Sequence, residues 1–308
     1  MDIASRRAIE DFIKKYQIRL LKRLGQNFLI DEEVIKKVAG AANLESQDVV
    51  LEVGPGLGAL TQEVAKKAKK VIAVEKDPKM IEILSETLKE FKNVKVVQGD
   101  ILKISNFQFL ISNYKVVANL PFYLTAPVIR KFLEAKNPPK EMVLIVQKEV
   151  GQRICAKPPD MSISAVSVQF YAKPEIIDFI SKKSFWPSPK VDSAILKISA
   201  LNQRRKSAFN QRFFRIVKSG FSQPRKQLIN NLSRRLNFNR EKVKDWLLKN
   251  NIKPEQRAET LTVENWISLT RAKRRVKMNE SSSTTRAKRR VKMNESSSTT
   301  KSFYFVVK

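Results

Sequence analysis

Between residues 49 and 199 seven short apolar runs alternate with amphipathic stretches, and nothing else in this 308-residue sequence restricts its fold as much. The runs are VVLEV (49–53), VIAVE (71–75), VKVVQ (94–98), KVVAN (115–119), MVLIVQ (142–147), PEIIDFI (174–180) and VDSAILKIS (191–199). Short runs rich in β-branched residues read as strands. Apolar residues at helical spacing in 58–68, 78–91, 125–135 and about 148–171 read as the helices between them. Such alternation builds a mostly parallel sheet covered by helices, an α/β fold. Ligands in these sheets bind outside the carboxyl ends of the strands, so the residue that ends each run is where chemistry is expected.

Composition narrows that chemistry. The chain has 60 Lys and Arg against 30 Asp and Glu, a net charge of +30, and no His. Without imidazole there is no Ser-His-Asp or Cys-His catalysis and no His-ligated metal. A single cysteine, Cys155, excludes an internal disulfide and a multi-cysteine zinc site, so no metal is expected and a reducing, cytoplasmic setting fits. The sequence has no apolar run of about 18 residues, so no membrane span is expected. Residues 1–24 lack the apolar centre of a signal peptide and read as a basic amphipathic helix.

The positive charge is concentrated toward the C-terminus. Residues 1–200 hold 32 basic and 23 acidic side chains, 201–270 hold 16 and 5, and 271–308 hold 12 and 2. Within 201–240, Phe209, Phe213, Phe214, Ile216, Val217 and Phe221 recur at helical spacing among eleven cations and no acid. That pattern predicts folded helices with a basic face, suited to a polyanion such as nucleic acid. Beyond them, RAKRRVKMNESSSTT at 271–285 is repeated unchanged at 286–300, a composition that buries no core and reads as a solvated tail. Four regions are therefore expected: an N-terminal helix (1–24), the α/β domain (25–200), a helical domain (201–270) and a tail (271–308).

The strand ends carry distinctive residues. The first run opens into LEVGPGLGALT, where Gly54 and Gly56 allow a tight turn and close backbone approach to a ligand. Gly54, Gly56 and Ala59 also satisfy the pattern of dinucleotide binders. The second run ends in Glu75, an acid able to accept both hydroxyls of a ribose, which suits a nicotinamide dinucleotide and an adenosyl group equally. Asp100 and Ile101 follow the third run, a short acid and an apolar residue placed to bracket an adenine.

The fourth run ends in Asn119-Leu120-Pro121-Phe122, and this tetrad favours one reading. The exocyclic amine of adenine is a weak nucleophile because its lone pair is conjugated into the ring. Accepting its two N–H bonds, with the Asn119 side-chain carbonyl and the Leu120 backbone carbonyl, localises that pair and aims it at a methyl donor. Pro121 stiffens the turn, and Phe122 is placed to stack on an extruded base. The proton leaves after the nitrogen has become cationic, so no histidine is required.

With these motifs the sequence resembles the ribosomal RNA adenine N6,N6-dimethyltransferases of the KsgA type, from about Lys22 to about Leu269. LGQNFLID (24–31), LEVGPGLGALT, VIAVEKD, QGDI, NLPF, QKEVGQRI (147–154), FWPSPKVDSAI (185–195) and FSQPRKQLINNL (221–232) carry the resemblance in order. It implies a seven-stranded, Rossmann-like class I S-adenosylmethionine-dependent methyltransferase domain followed by a small all-helical domain that holds RNA. It also implies that Asn27, Leu29, Gly54, Gly56, Glu75, Asp100, Ile101 and Asn119 line the cofactor site, and that Phe185 supplies a second stacking face beside Phe122. The implied substrate is a pair of adjacent adenosines near the 3′ end of small-subunit (16S) rRNA in the pre-30S particle, methylated by a monomer. Alternatives are a large-subunit (23S) methyltransferase of the macrolide-resistance type, an rRNA-binding assembly factor and a nicotinamide-dependent oxidoreductase. The chain departs from the family pattern at Phe122, often Tyr, and at Tyr123-Leu124-Thr125, often Asn-Ile-Ser. The loop after QKEVGQRI also lacks a Tyr-Gly, and Pro224 stands where a basic residue is usual.

Overall fold

The structure, a computed structural model, describes residues 3–18, 27–104, 113–201 and 207–272. These fall into two compact units, one within 3–201 and one within 207–272. The first unit contains α1 (Arg6–Lys15), β1 (Phe28–Leu29), α2 (Glu32–Ala41), β2 (Val49–Val53), α3 (Ala59–Ala65), β3 (Lys70–Glu75), α4 (Pro78–Thr87) and β4 (Val94–Gln98). It continues with β5 (Tyr114–Asn119), α5 (Thr125–Leu133), β6 (Glu141–Gln147), α6 (Lys148–Cys155), α7 (Ile163–Gln169), β7 (Ala172–Ile180), β8 (Phe185–Trp186) and β9 (Ser193–Ala200).

All seven expected strands form one sheet in the order β4-β3-β2-β5-β6-β9-β7. Strands β2 to β6 pair in parallel, and β9 runs antiparallel to both β6 and β7. Successive side chains of a strand face opposite sides of the sheet, yet Val50 and Leu51, Val71 and Ile72, Val116 and Val117, and Val143 and Leu144 are all buried. The central strands β2, β3, β5 and β6 are therefore covered on both faces, which is why they read as unbroken apolar runs, whereas the edge strands β4 and β7 keep exposed positions between the half-buried ones. On one face Ile35, Val38 and Ala39 of α2 and Leu60, Val64 and Ala65 of α3 pack on Val50, Val71, Val117, Val143 and Ile195.

The chain order reverses between β2 and β5, so the crevice at their carboxyl ends is the topological switch point of the sheet. Three features were not legible as expected. The single helix at 148–171 is two, because Pro158 and Pro159 in the connection lack the N–H that a helix interior needs. Ser162 then caps α7, accepting from the Ala165 N–H at 3.0 Å. The NFLID and FWPSP segments each supply one strand of a two-stranded antiparallel ribbon, β1 with β8. The basic N-terminal helix spans Arg6–Lys15 and is part of the first unit, with Ile3, Ile9 and Phe12 buried against Phe28, Leu57, Met80 and Ile83.

The second unit is helical throughout its elements: α8 (Ser207–Gly220), α9 (Leu228–Leu236), α10 (Arg240–Leu248) and α11 (Val263–Ala272). Phe213, Phe214, Ile216 and Val217 of α8 are buried with Leu228, Leu232, Val243, Trp246, Trp266 and Leu269. Gly220 is fixed by packing, since a Cβ there would lie 2.4 Å from the Trp266 ring. Arg215, Arg225, Lys226, Arg234 and Arg235 are exposed. The duplicated segment from residue 273 onward lies outside the described residues.

Candidate active site

The crevice at the switch point is a pocket of about 1210 Å³ including its open mouth, and it brings together residues from across the sequence. Asn27, Leu29, Gly54, Gly56, Glu75, Asp100, Ile101, Asn119, Leu120, Pro121, Phe122 and Phe185 all line it. The glycine turn after β2 has positive φ at Gly54 (69°) and Gly56 (60°), a conformation that a side chain disfavours. At Gly56 a Cβ would also meet the Phe28 ring at 3.2 Å. Backbone thus approaches the cavity where the first unit presents its apolar wall.

Glu75 ends β3 with its carboxylate held by backbone amides. Lys76 N–H and Asp77 N–H donate to Oε1 at 2.7 and 2.8 Å, and Gly56 N–H donates to Oε2 at 3.4 Å. Burial raises its pKa, and these three donors oppose the shift. Asp100 is the contrasting acid. Burial pushes it up, but Lys76, with Nζ 3.0 Å from Oδ2, and the Leu102 N–H at 3.0 Å on Oδ1 hold it below the usual carboxylate range.

Asn119 ends β5, and its amide orientation is set by its neighbour. Nδ2 donates to the backbone carbonyl of Asn27 at 3.0 Å. Oδ1 therefore points away from that bond, and neither it nor the Leu120 carbonyl accepts a hydrogen bond from the described residues. Two neutral acceptors stand open side by side in the chain, on a strand end followed by a rigid turn in which Leu124 N–H donates to Pro121 O at 2.8 Å. Phe122, half-buried, follows them in that turn.

Phe185 differs from the expectation in its surroundings. It pairs with Leu29 in the β1–β8 ribbon, is 4% exposed and belongs to the core cluster of Leu29, Ile35 and Ile180. It is a wall of the pocket and offers little open ring face. Glu52 was not singled out from sequence, although it interrupts an otherwise apolar central strand. It lines the pocket at 1% exposure, and Oε2 has no hydrogen-bond partner among the described residues. Burial pushes its carboxyl up to about 8, the Thr61 hydroxyl offsetting this and the Glu75 charge adding to it. Ile3, Phe28 and Tyr123 also line the pocket; Phe28 lies inside the LGQNFLID motif and Tyr123 directly follows NLPF, whereas Ile3 carries no motif signal.

These residues fit S-adenosylmethionine. The bound donor would carry an ammonium and a sulfonium, and the pocket supplies the carboxyls of Glu52, Glu75 and Asp100, a glycine cradle and apolar walls. No cluster of three or more His, Cys, Asp or Glu able to hold a metal occurs among the described residues. No helix among them is long and apolar enough to cross a membrane. Fold and site together define a class I S-adenosylmethionine-dependent methyltransferase.

The chain belongs to the ribosomal RNA adenine dimethylase family, whose pattern it matches over residues 18–274. It is 42% identical over 263 residues to ribosomal RNA small subunit methyltransferase A of Dehalococcoides mccartyi, covering 84% of this chain and 90% of that protein. The protein of the same name from Bacillus mycoides is 38% identical over 283 residues, covering 88% and 97%. Among solved structures, the 23S rRNA methyltransferase ErmE superposes with a TM-score of 0.68 at 26% identity, covering 80% of this chain and 99% of that one. A dimethyladenosine transferase from Plasmodium falciparum gives 0.65 at 26% identity, with 79% and 95% covered.

Proposed function

We propose that this enzyme transfers methyl groups from S-adenosylmethionine to N6 of two adjacent adenosines near the 3′ end of small-subunit rRNA, acting as a cytoplasmic monomer on the assembling subunit. The observation that carries the chemistry is the fixed amide of Asn119, whose donor is used by Asn27 and whose acceptor is left open beside the Leu120 carbonyl. In this reading the target base is extruded into the pocket against Phe122. Asn119 Oδ1 and Leu120 O accept its two N6 hydrogens, which turns the nitrogen lone pair out of conjugation and toward the methyl group. The bound donor supplies an electrophilic methyl on a cationic sulfur. Transfer leaves the nitrogen cationic, and it then loses a proton to water, so the site needs no strong base. Repeating the reaction requires the monomethylated nitrogen to turn its remaining hydrogen toward one of the same two acceptors. Glu75 holds the ribose hydroxyls and the Gly54–Gly56 turn the methionine end.

Small-subunit rRNA is favoured over large-subunit rRNA because the relatives near 40% identity are small-subunit methyltransferases, whereas ErmE is 26% identical. The exposed cations of α8 and α9 suit contacts to phosphates, which position an RNA without reading it. Mass spectrometry of rRNA from cells with and without the gene tests the assignment. Loss of dimethyladenosine from small-subunit rRNA is expected, and loss from large-subunit rRNA instead would overturn the target.

A further inference from the structure

Tyr123 follows the Asn119–Phe122 tetrad, and it is 52% exposed while lining the pocket with Asn119 and Phe122. The other three described tyrosines are used within the fold. Tyr16 donates its hydroxyl to Glu86, Tyr114 donates to Asn137 O at 3.1 Å, and the Tyr171 ring lies 4.9 Å from that of Phe170. Tyr123 has no hydrogen bond and no ring partner among the described residues. Its backbone is nevertheless fixed. It is the middle residue of a 3-10 turn closed by Leu124 N–H on Pro121 O, and the turn leads directly into α5. A flat ring is thus held at the pocket mouth by a rigid turn, with both its apolar face and its hydroxyl unused by the protein.

Base flipping creates a need for such a ring. Extruding the target adenosine removes the stack between it and its neighbour, and that neighbour here is a second substrate adenosine. We propose that Tyr123 is a positioning residue whose ring stacks on the nucleotide adjacent to the extruded adenosine, replacing the lost stack and holding the second adenosine at the pocket mouth. The proposal rests on the rRNA adenine reading above. Phe122 faces the base that reacts and Tyr123 the base that waits, so consecutive aromatic residues serve consecutive nucleotides. Stacking on an aromatic side chain accepts any base, so the same ring serves whichever adenosine is outside the pocket.

The test uses small-subunit rRNA with 2-aminopurine in place of the adenosine next to the target, whose fluorescence is quenched when the base is stacked. In the complex with the wild-type enzyme the probe is expected to stay dim. With Tyr123→Ala it should brighten, and KM for rRNA should rise about 10-fold or more. Tyr123→Phe should restore both, and Tyr123→Leu should not. S-adenosylhomocysteine affinity of each variant, expected to match wild type, reports that the pocket is intact. A dim probe and wild-type KM in Tyr123→Ala would overturn the proposal. So would a Tyr123→Phe variant as impaired as Tyr123→Ala, which would assign the contact to the hydroxyl. If the wild-type enzyme leaves both adenosines unmodified, the activity assignment fails, a result distinct from these.

Discussion

At the β2–β3–β4 end the pocket is lined by the carboxyls of Glu52, Glu75 and Asp100, whereas at the β5 end it is lined by the Asn119 side-chain amide and by Leu120 with its backbone carbonyl, neither of which ionises. The acidic end is held mainly by backbone amides: three N–H groups fix Glu75, and the Leu102 N–H together with the Lys76 ammonium fixes Asp100. The neutral end is held by a single side-chain bond, Asn119 to Asn27, and by the turn through Pro121. Under the proposed function the two ends do different work: Glu75 and Asp100, whose desolvation is offset by local hydrogen bonds, hold the ribose and adenine of the donor, while an uncharged amine is made nucleophilic by acceptors that leave its proton in place until after transfer.

The sharpest break of the acidic end is Glu75→Ala. It removes a charged acceptor for two ribose hydroxyls, each bond to a charged group contributing about 1.5–3 kcal/mol, so S-adenosylhomocysteine should bind about 100-fold more weakly or worse. Calorimetry that finds an affinity within about threefold of wild type would remove Glu75 from the cofactor site.

Glu52 sharpens the same comparison through pH. Its folded pKa of about 8 lies above the ordinary carboxyl value of 4.5, so the folded state binds a proton that the unfolded chain releases. The stability from that proton is fully present below about pH 4.5 and is lost as pH rises through about 8. Between pH 6 and 8 the wild type should lose about 2 kcal/mol from this group, and Glu52→Gln, a permanent neutral analogue, should not. Denaturant titrations at the two pH values check this, and parallel losses in both proteins would show that Glu52 is not the group responsible.

The smallest effect lies in the second unit. Arg234→Ala with Arg235→Ala, both exposed in the last turn of α9, should weaken rRNA binding about 3- to 10-fold and lower the salt slope by about one to two, with cofactor affinity unchanged. A filter-binding series in rising salt reads both. An unchanged slope would move the phosphate contacts elsewhere.

How much of this was legible depended on the range of the interaction. The central strands are readable because cover on both faces leaves continuous apolar runs, and Glu75 and Asn119 are readable because they end such runs, with Asp100 two residues beyond the end of another. The break between α6 and α7 is marked by Pro158 and Pro159, but α7 buries Ser164 to Val168 consecutively and so lacks the helical-period apolar spacing that would set it off as a separate helix. The β1–β8 ribbon joins segments more than 150 residues apart through two residues each, and no local pattern encodes that pairing. Phe185 illustrates the same limit: its place in a motif was visible, but that Leu29, Ile35 and Ile180 enclose it is a property of packing. Glu52 left a trace, an acid in a buried strand, whereas Ile3 enters the pocket wall only because α1 docks on Phe28, Leu57 and Met80.

The neutral end of the pocket is tested most directly by single-turnover methyl transfer to small-subunit rRNA with Asn119→Ala at saturating S-adenosylmethionine. Removal of one preorganised acceptor should slow transfer by about 100- to 1000-fold, while S-adenosylhomocysteine still binds within about tenfold of wild type. A near-normal transfer rate in that variant would contradict the account, because the methylated nitrogen would then be activated by something other than the Asn119 carbonyl.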